Sequence, residues 1–184
     1  MKLLSLILLC FFSGIKFHNG STGAGPECSV SFSTINAGFE VEGTLQLQNV
    51  EIKFDPENLR DSYINATANP ATIQTGISIR DKHLTRSDYF DASRYPEVTL
   101  RSKSFKKKGK NNFVGTFDLT IKSITKEVVI SFISFKENSA IRYQGSFEIN
   151  RLDFNVGEAS LTLDEKVKVL VTTRVQDFTL LQEK

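Results

Sequence analysis

His83 has Asp81 and Asp88 close by in sequence, and a carboxylate, an imidazole and a hydroxyl are the parts of a nucleophilic relay. The hydroxyl partner is missing from the pattern. No Gly-x-Ser-x-Gly turn presents a serine, and nearness in sequence does not set side chains at hydrogen-bonding distance. His83 therefore reads as a structural or ligand-contacting histidine, and no catalytic residue is assigned. Metal chemistry has even less to work with. His18 and Cys10 lie at the extreme N-terminus, which leaves one histidine and one cysteine, Cys28, with no clustered carboxylates of the calcium-loop kind. No glycine-rich phosphate loop or dinucleotide fingerprint occurs, so no metal or cofactor is expected. The run Lys106-Lys107-Lys108-Gly109-Lys110 reads first as a solvated hairpin tip. The alternative is transient attraction to anionic lipid headgroups. Asn65-Ala66-Thr67 fits a glycosylation sequon, a pattern short enough to arise by chance.

The elements that would position these side chains are strands. Val30, Phe32 and Ile35 open the pattern. From 39 to 47 the alternation is strict, placing Phe39, Val41, Leu45 and Leu47 on one face and glutamates and glutamines on the other. Residues 50–54 extend this strand toward a turn at Asp55-Pro56, and a further strand over 60–68 is stopped by Asn69-Pro70. Strands follow over 96–105, 113–121, 126–135, 140–150 and 165–180. In the last, Val167, Val169, Val171, Thr173 and Val175 share a face. Seven or eight strands with short polar turns mean an all-β sandwich or closed barrel, and periodicity does not separate the two. The segment 75–95 breaks the pattern. Asp81 and Ser87 are acceptable N-caps for one or two short helices anchored by Leu84, Tyr89 and Phe90, either a cover over a ligand entrance or a packed connection.

The N-terminus reads as an export signal. Met1-Lys2 precedes a run from 3 to 12 that is apolar except for Ser5, too short to span a bilayer, and small residues follow. A signal over residues 1–22 is expected, ahead of one domain over 28–182. Neither Cys10 nor Cys28 follows a small residue, so no lipobox is read, and the product is expected to be periplasmic or secreted. Losing Lys2 and Lys16 from the 23 basic residues leaves 21, equal to the 21 acidic ones. A chain near neutrality has no general electrostatic reason to bind nucleic acid. Fifteen phenylalanines and no tryptophan supply large apolar area without catalytic groups to match. A barrel of about eight strands is just wide enough to fill with side chains or to hold one small ligand.

Several spaced motifs, taken in order, resemble the YceI-like proteins. They are Ile79-Arg80-Asp81-Lys82-His83-Leu84, Ser87-Asp88-Tyr89-Phe90-Asp91 and Arg94-Tyr95-Pro96-Glu97-Val98. Val41-Glu42-Gly43, Phe54-Asp55-Pro56 and Thr75-Gly76 lie around these. Val114-Gly115-Thr116-Phe117-Asp118-Leu119, Ile124-Thr125-Lys126, Ile149-Asn150-Arg151-Leu152-Asp153-Phe154 and Val156-Gly157 continue the likeness. It runs from about residue 29 to 175. The resemblance implies an eight-stranded antiparallel lipocalin-like barrel with a short helical insertion around 77–93. It also implies an elongated apolar cavity for a polyisoprenoid or similar long-chain lipid, export to the periplasm, and pairing into homodimers. The Gly-x-Trp of lipocalins proper is absent, and Ser123 stands where the family often has glycine.

On that implication a bound isoprenoid-type lipid is the ligand. Val41, Leu45, Phe117, Leu119, Val128, Ile130, Phe132, Val169 and Val171 are wall candidates from alternation. Arg80, His83, Tyr89 and Tyr95 are mouth candidates from position. The expected role is binding for storage or transport of a polyisoprenoid or isoprenoid quinone rather than catalysis. The alternatives are a fatty acid or fatty amide in the same cavity, an isoprenoid-modifying enzyme using His83, and an interaction protein whose barrel is filled by its own phenylalanines.

Overall fold

In the computed structural model, residues 27–138 and 140–176 are described. The expected export signal and the end of the expected last strand, 177–180, lie outside them. Eight strands form a closed antiparallel barrel in sequence order: β1 (Glu27–Asn36), β2 (Phe39–Lys53), β3 (Tyr63–Gln74), β4 (Val98–Lys107), β5 (Asn112–Ile121), β6 (Ile124–Glu137), β7 (Ala140–Asn150) and β8 (Lys166–Gln176). Closure comes from β1 against β8, with Val30 opposite Val171 and Phe32 opposite Val169. The barrel, rather than the sandwich, is what the alternating strands build.

Up-and-down order fixes two ends. At the upper end lie the β1–β2 turn (37–38), the long β3–β4 connection (75–97), the β5–β6 turn (122–123) and the β7–β8 connection (151–165). At the lower end lie the β2–β3 loop, the lysine-bearing β4–β5 turn, the β6–β7 turn, and residues Glu27 and Gln176. Ala37 and Gly38 both have positive φ, +50° and +83°, as a two-residue hairpin turn matched to strand twist requires. In the β5–β6 turn the positive φ of +56° falls on Lys122, so Ser123 in place of glycine meets no left-handed requirement.

Two local expectations change. Asn69-Pro70 does not end β3, which continues to Gln74. Thr44 faces Gln74 while Gln46 faces Asn69, so β3 carries extra residues here as a bulge. Proline, having no N–H to give a ladder, is tolerated at such a bulge. Side chains replace the lost ladder bonds: the Thr72 hydroxyl accepts from Gln46 N at 2.9 Å, and the Asn69 carbonyl of the side chain accepts from Ala71 N at 2.9 Å. In the 75–97 connection there is one helix, α1 (Ser78–Leu84), whose N-cap is Ile77. Asp81 is inside it and Ser87 caps no helix.

The core divides by height. In the lower half, Phe105, Phe113, Phe117, Ile130, Phe132 and Tyr143 are buried together. Phe54, just beyond β2, closes this cluster from below, edge-on to Phe105, Phe113, Phe132 and Tyr143 at centroid distances of 5.2, 4.9, 5.3 and 5.7 Å. Such edge-to-face pairs add about 0.5–1.5 kcal/mol each beyond area burial. Strand β6 pairs with β7 only from Ser131 to Glu137, its lower part, so the two strands separate higher up. Phe154 and Val156, from the β7–β8 connection, join Leu119 and Ile121 in a second cluster that also holds Ile124 and Val128.

Candidate functional site

Above the aromatic floor the barrel is hollow. A cavity of about 310 Å³ runs from mid-barrel to the loops of the upper end, within the roughly 300–1,000 Å³ usual for ligand sites. Inward-facing positions of seven strands make the wall, because side chains alternate across each strand and only one set looks in. Along β2 the inward set is Val41, Gly43, Leu45 and Leu47. A Cβ on Gly43 would lie 2.2 Å from Phe32 Cζ, so the missing side chain is what lets the Phe32 ring lie across the strand. Strand β6 is absent from the lining.

Of the residues expected at the site, Val41, Leu45, Leu119, Val169 and Val171 stand on the cavity wall, and Arg80, His83 and Tyr89 at its upper end. Phe117, Ile130 and Phe132 sit in the aromatic floor instead, and Val128 packs against both buried clusters. They have the right face but the wrong height. Tyr95 is outside the cavity, with the Arg94 guanidinium 5.3 Å from its ring centroid. Phe39, though in phase with Val41, is at the end of its strand and 77% exposed.

Polar clamps order the loop at the upper end. Arg80 donates from Nε to Thr75 Oγ1 at 2.7 Å and from Nη2 to the Thr75 carbonyl at 2.9 Å. The Asp81 carboxylate accepts from the backbone N–H and the hydroxyl of the same threonine. His83 Nε2 lies 2.8 Å from Asp88 Oδ2, and its ring meets Tyr89 edge-on at 4.9 Å. The hydrogen bond from His83 holds the Asp88 carboxyl below its ordinary range. These partners all come from one loop. The pair orders the rim.

Arg151 is the residue that strand periodicity could not assign. It is 4% exposed, lines the cavity, and donates from Nε to Asp164 O, from Nη1 to Val156 O and from Nη2 to Glu158 O, at 2.8–2.9 Å. One guanidinium thus gathers carbonyls from Val156 to Asp164 in the β7–β8 connection. Burial of a cation is tolerable only with such hydrogen bonding. Gly157 completes the packing: its φ is +69°, and a Cβ there would lie 2.8 Å from Tyr89 Cε1 and 2.9 Å from Arg151 Nη1. Its N–H bonds to the Asp88 carbonyl at 2.8 Å, joining the two long connections. The only sequence signal for Arg151 was its place right after a strand, inside a motif of the resemblance.

The cavity lining contains two arginines and one histidine and no carboxylate; the rest is aliphatic or aromatic apart from Thr34, Asn36 and Thr75 and the Tyr89 hydroxyl. No group of three or more histidine, cysteine or acidic side chains is placed to hold a metal among the described residues. Cys28 is half-buried, beside the Thr173 hydroxyl at 2.9 Å, and burial pushes its thiol pKa up. Such an arrangement can exclude water from a long apolar molecule and offer donors at one end.

Comparison with known proteins gives the same architecture. The model of the YceI-like domain matches residues 25–175. A UPF0312 protein of Ectopseudomonas mendocina is 30% identical over 151 residues, which cover 76% of this chain and 79% of that protein. With other curated relatives, from Vibrio and Photorhabdus, the match spans little more than half of their length. Among solved structures, BcnA of Burkholderia cenocepacia superposes with a TM-score of 0.75 at 23% identity, covering 82% of this chain and 97% of that one. A polyisoprenoid binding domain from Saccharophagus degradans, implicated in plant cell wall breakdown, superposes with a TM-score of 0.61 at 10% identity, covering 81% and 93%. At these identities the structures show a shared fold.

Proposed function

Because the chain belongs to the YceI-like domain family, we propose that it binds one long-chain apolar lipid, a polyisoprenoid or isoprenoid quinone, in the upper half of its barrel for storage or transport. The observation that carries this reading is the division of the barrel into a packed aromatic floor and an apolar, carboxylate-free hollow above it. A barrel meant only as a scaffold would fill both halves. Each CH₂ unit moved from water into the hollow gains about 0.8 kcal/mol. Ten units give about 8 kcal/mol before ordering costs, so apolar walls alone supply useful affinity.

Binding rather than catalysis is also the reading supported by the Saccharophagus domain. On this reading the expected N-terminal signal delivers the protein to the periplasm, where a water-filled space separates two membranes and an insoluble chain needs a carrier. The test is mass spectrometry of an organic extract from protein purified without detergent. One isoprenoid-type lipid per chain is the expected result; a fatty acid or fatty amide would keep the cavity and change the cargo. An extract that stays empty after incubation with quinones and polyprenyl lipids would overturn the reading.

A further inference from the structure

Four large apolar side chains are exposed at the upper end of the barrel, the end at which the cavity reaches the loops. Leu161 is fully exposed, Ile79 81%, Phe39 77% and Ile77 52%. All four belong to connections or strand ends of the upper barrel end. Scattered exposed hydrophobics are ordinary on a soluble surface, but here the three most exposed among the described residues, Leu161, Ile79 and Phe39, all fall at the cavity end of the barrel. The segments that carry them are held in place. Ala37 N bonds to Thr162 O at 2.8 Å and Asn36 bridges to Leu163, so the Phe39 turn and the Leu161 segment form one piece. The α1 segment that carries Ile77 and Ile79 is tied to the barrel through Arg80, Asp81 and Thr75.

We propose that this upper rim seats directly on a lipid bilayer by inserting Phe39, Ile77, Ile79 and Leu161, so that lipid passes between membrane and cavity without crossing water. The aromatic floor blocks the lower end, so cargo must use the rim. A bilayer is the occupant whose chemistry continues that of the cavity: apolar interior reached through an interfacial layer. The lysine run is at the other end of the barrel, where Lys107 Nζ pairs with Glu57 Oε1 at 2.7 Å. Electrostatic docking through that tip would point the opening away from the membrane.

The inference rests on the lipid-binding reading for its purpose, yet vesicle binding is measured without cargo. Lipid-free protein is sedimented with vesicles of pure phosphatidylcholine and with vesicles containing phosphatidylglycerol, at low and high salt. The wild type is expected to bind both, with little effect of salt, since insertion is not a charge effect. The triple variant Phe39→Ser, Ile79→Ser, Leu161→Ser, all at exposed positions, should lose partition by about a hundredfold or more. Replacing Lys106, Lys107 and Lys108 by Gln should leave it unchanged. Three results would overturn the proposal: a rim variant that binds as the wild type does, salt-sensitive binding lost in the lysine variant, or a rim that only joins two copies of the chain and binds no vesicle. Loading from detergent micelles separates the two readings. A rim variant that loads from micelles but not from vesicles supports both, whereas failure of every form to load from micelles removes the lipid cargo while sedimentation still decides the rim.

Discussion

Replacing Val169 by aspartate should weaken lipid binding by an amount that low pH restores only in part. Val169 faces Phe32 across β1 and Phe147 across β7, and all three line the cavity. With a lipid chain in place, the substitution loses the apolar contact of the valine, about 1.5–3 kcal/mol for a fully buried side chain. It also seals a carboxylate against hydrocarbon. Such a group becomes neutral rather than charged, with a pKa raised by about 3 units or more. At about 1.36 kcal/mol per unit, that costs about 4 kcal/mol at neutral pH. Together the two effects weaken binding by roughly four to five powers of ten.

The sign follows from proton uptake. The neutral acid binds lipid and the ionised one does not, so affinity rises as pH falls and levels off below the ordinary aspartate pKa of about 3.9. The lost valine contact is not recovered. Titrating a fluorescent polyenoic lipid at several pH values, with thermal melts to follow the fold, measures this. Val169→Asn should lose affinity without pH dependence, and Val169→Leu should keep it. Wild-type affinity in Val169→Asp, or a loss identical at every pH, would show that this position does not face the cargo.

Further expectations concern the floor and the rim. Phe54→Ala removes the ring that meets four others and should cost about 3–5 kcal/mol in urea unfolding; a loss under about 1 kcal/mol would mean that the floor collapses into the space. Because His83 lowers the Asp88 pKa, this carboxylate stabilises the fold above the ordinary aspartate pKa, and the contribution disappears as pH falls through the lowered folded value. Asp88→Asn should flatten that part of the acid limb of the stability profile, and an NMR titration of Asp88 at an ordinary or raised pKa would contradict the pairing.

Periodicity carried much of the architecture. Strict alternation in β2 and β8 put Val41 with Leu45 and Val169 with Val171 on one face of each strand, and the polar turns between runs counted out seven or eight strands, because a half-buried strand has no other way to satisfy both of its faces. The spaced motifs supplied the family and with it the choice of barrel over sandwich. Alternation, however, says which way a side chain points and nothing about its height along the barrel. Phe117, Ile130 and Phe132 therefore looked no different from Leu119 and Val169, although the first three are floor and the others wall. Height is decided by where strands pair and by what enters from outside them. Phe54 closes the lower half from beyond its strand, and Phe154 and Val156 enter where β6 and β7 part. The bulge that carries β3 past Pro70 is likewise a bargain among side chains distant from one another in sequence, as with Thr72 and Gln46. The buried guanidinium of Arg151 is the clearest case: its acceptors run from Val156 to Asp164, and only the folded loop turns them toward one point. The residues themselves determined faces, strands and family; tertiary contact alone decided which half of the barrel is hollow.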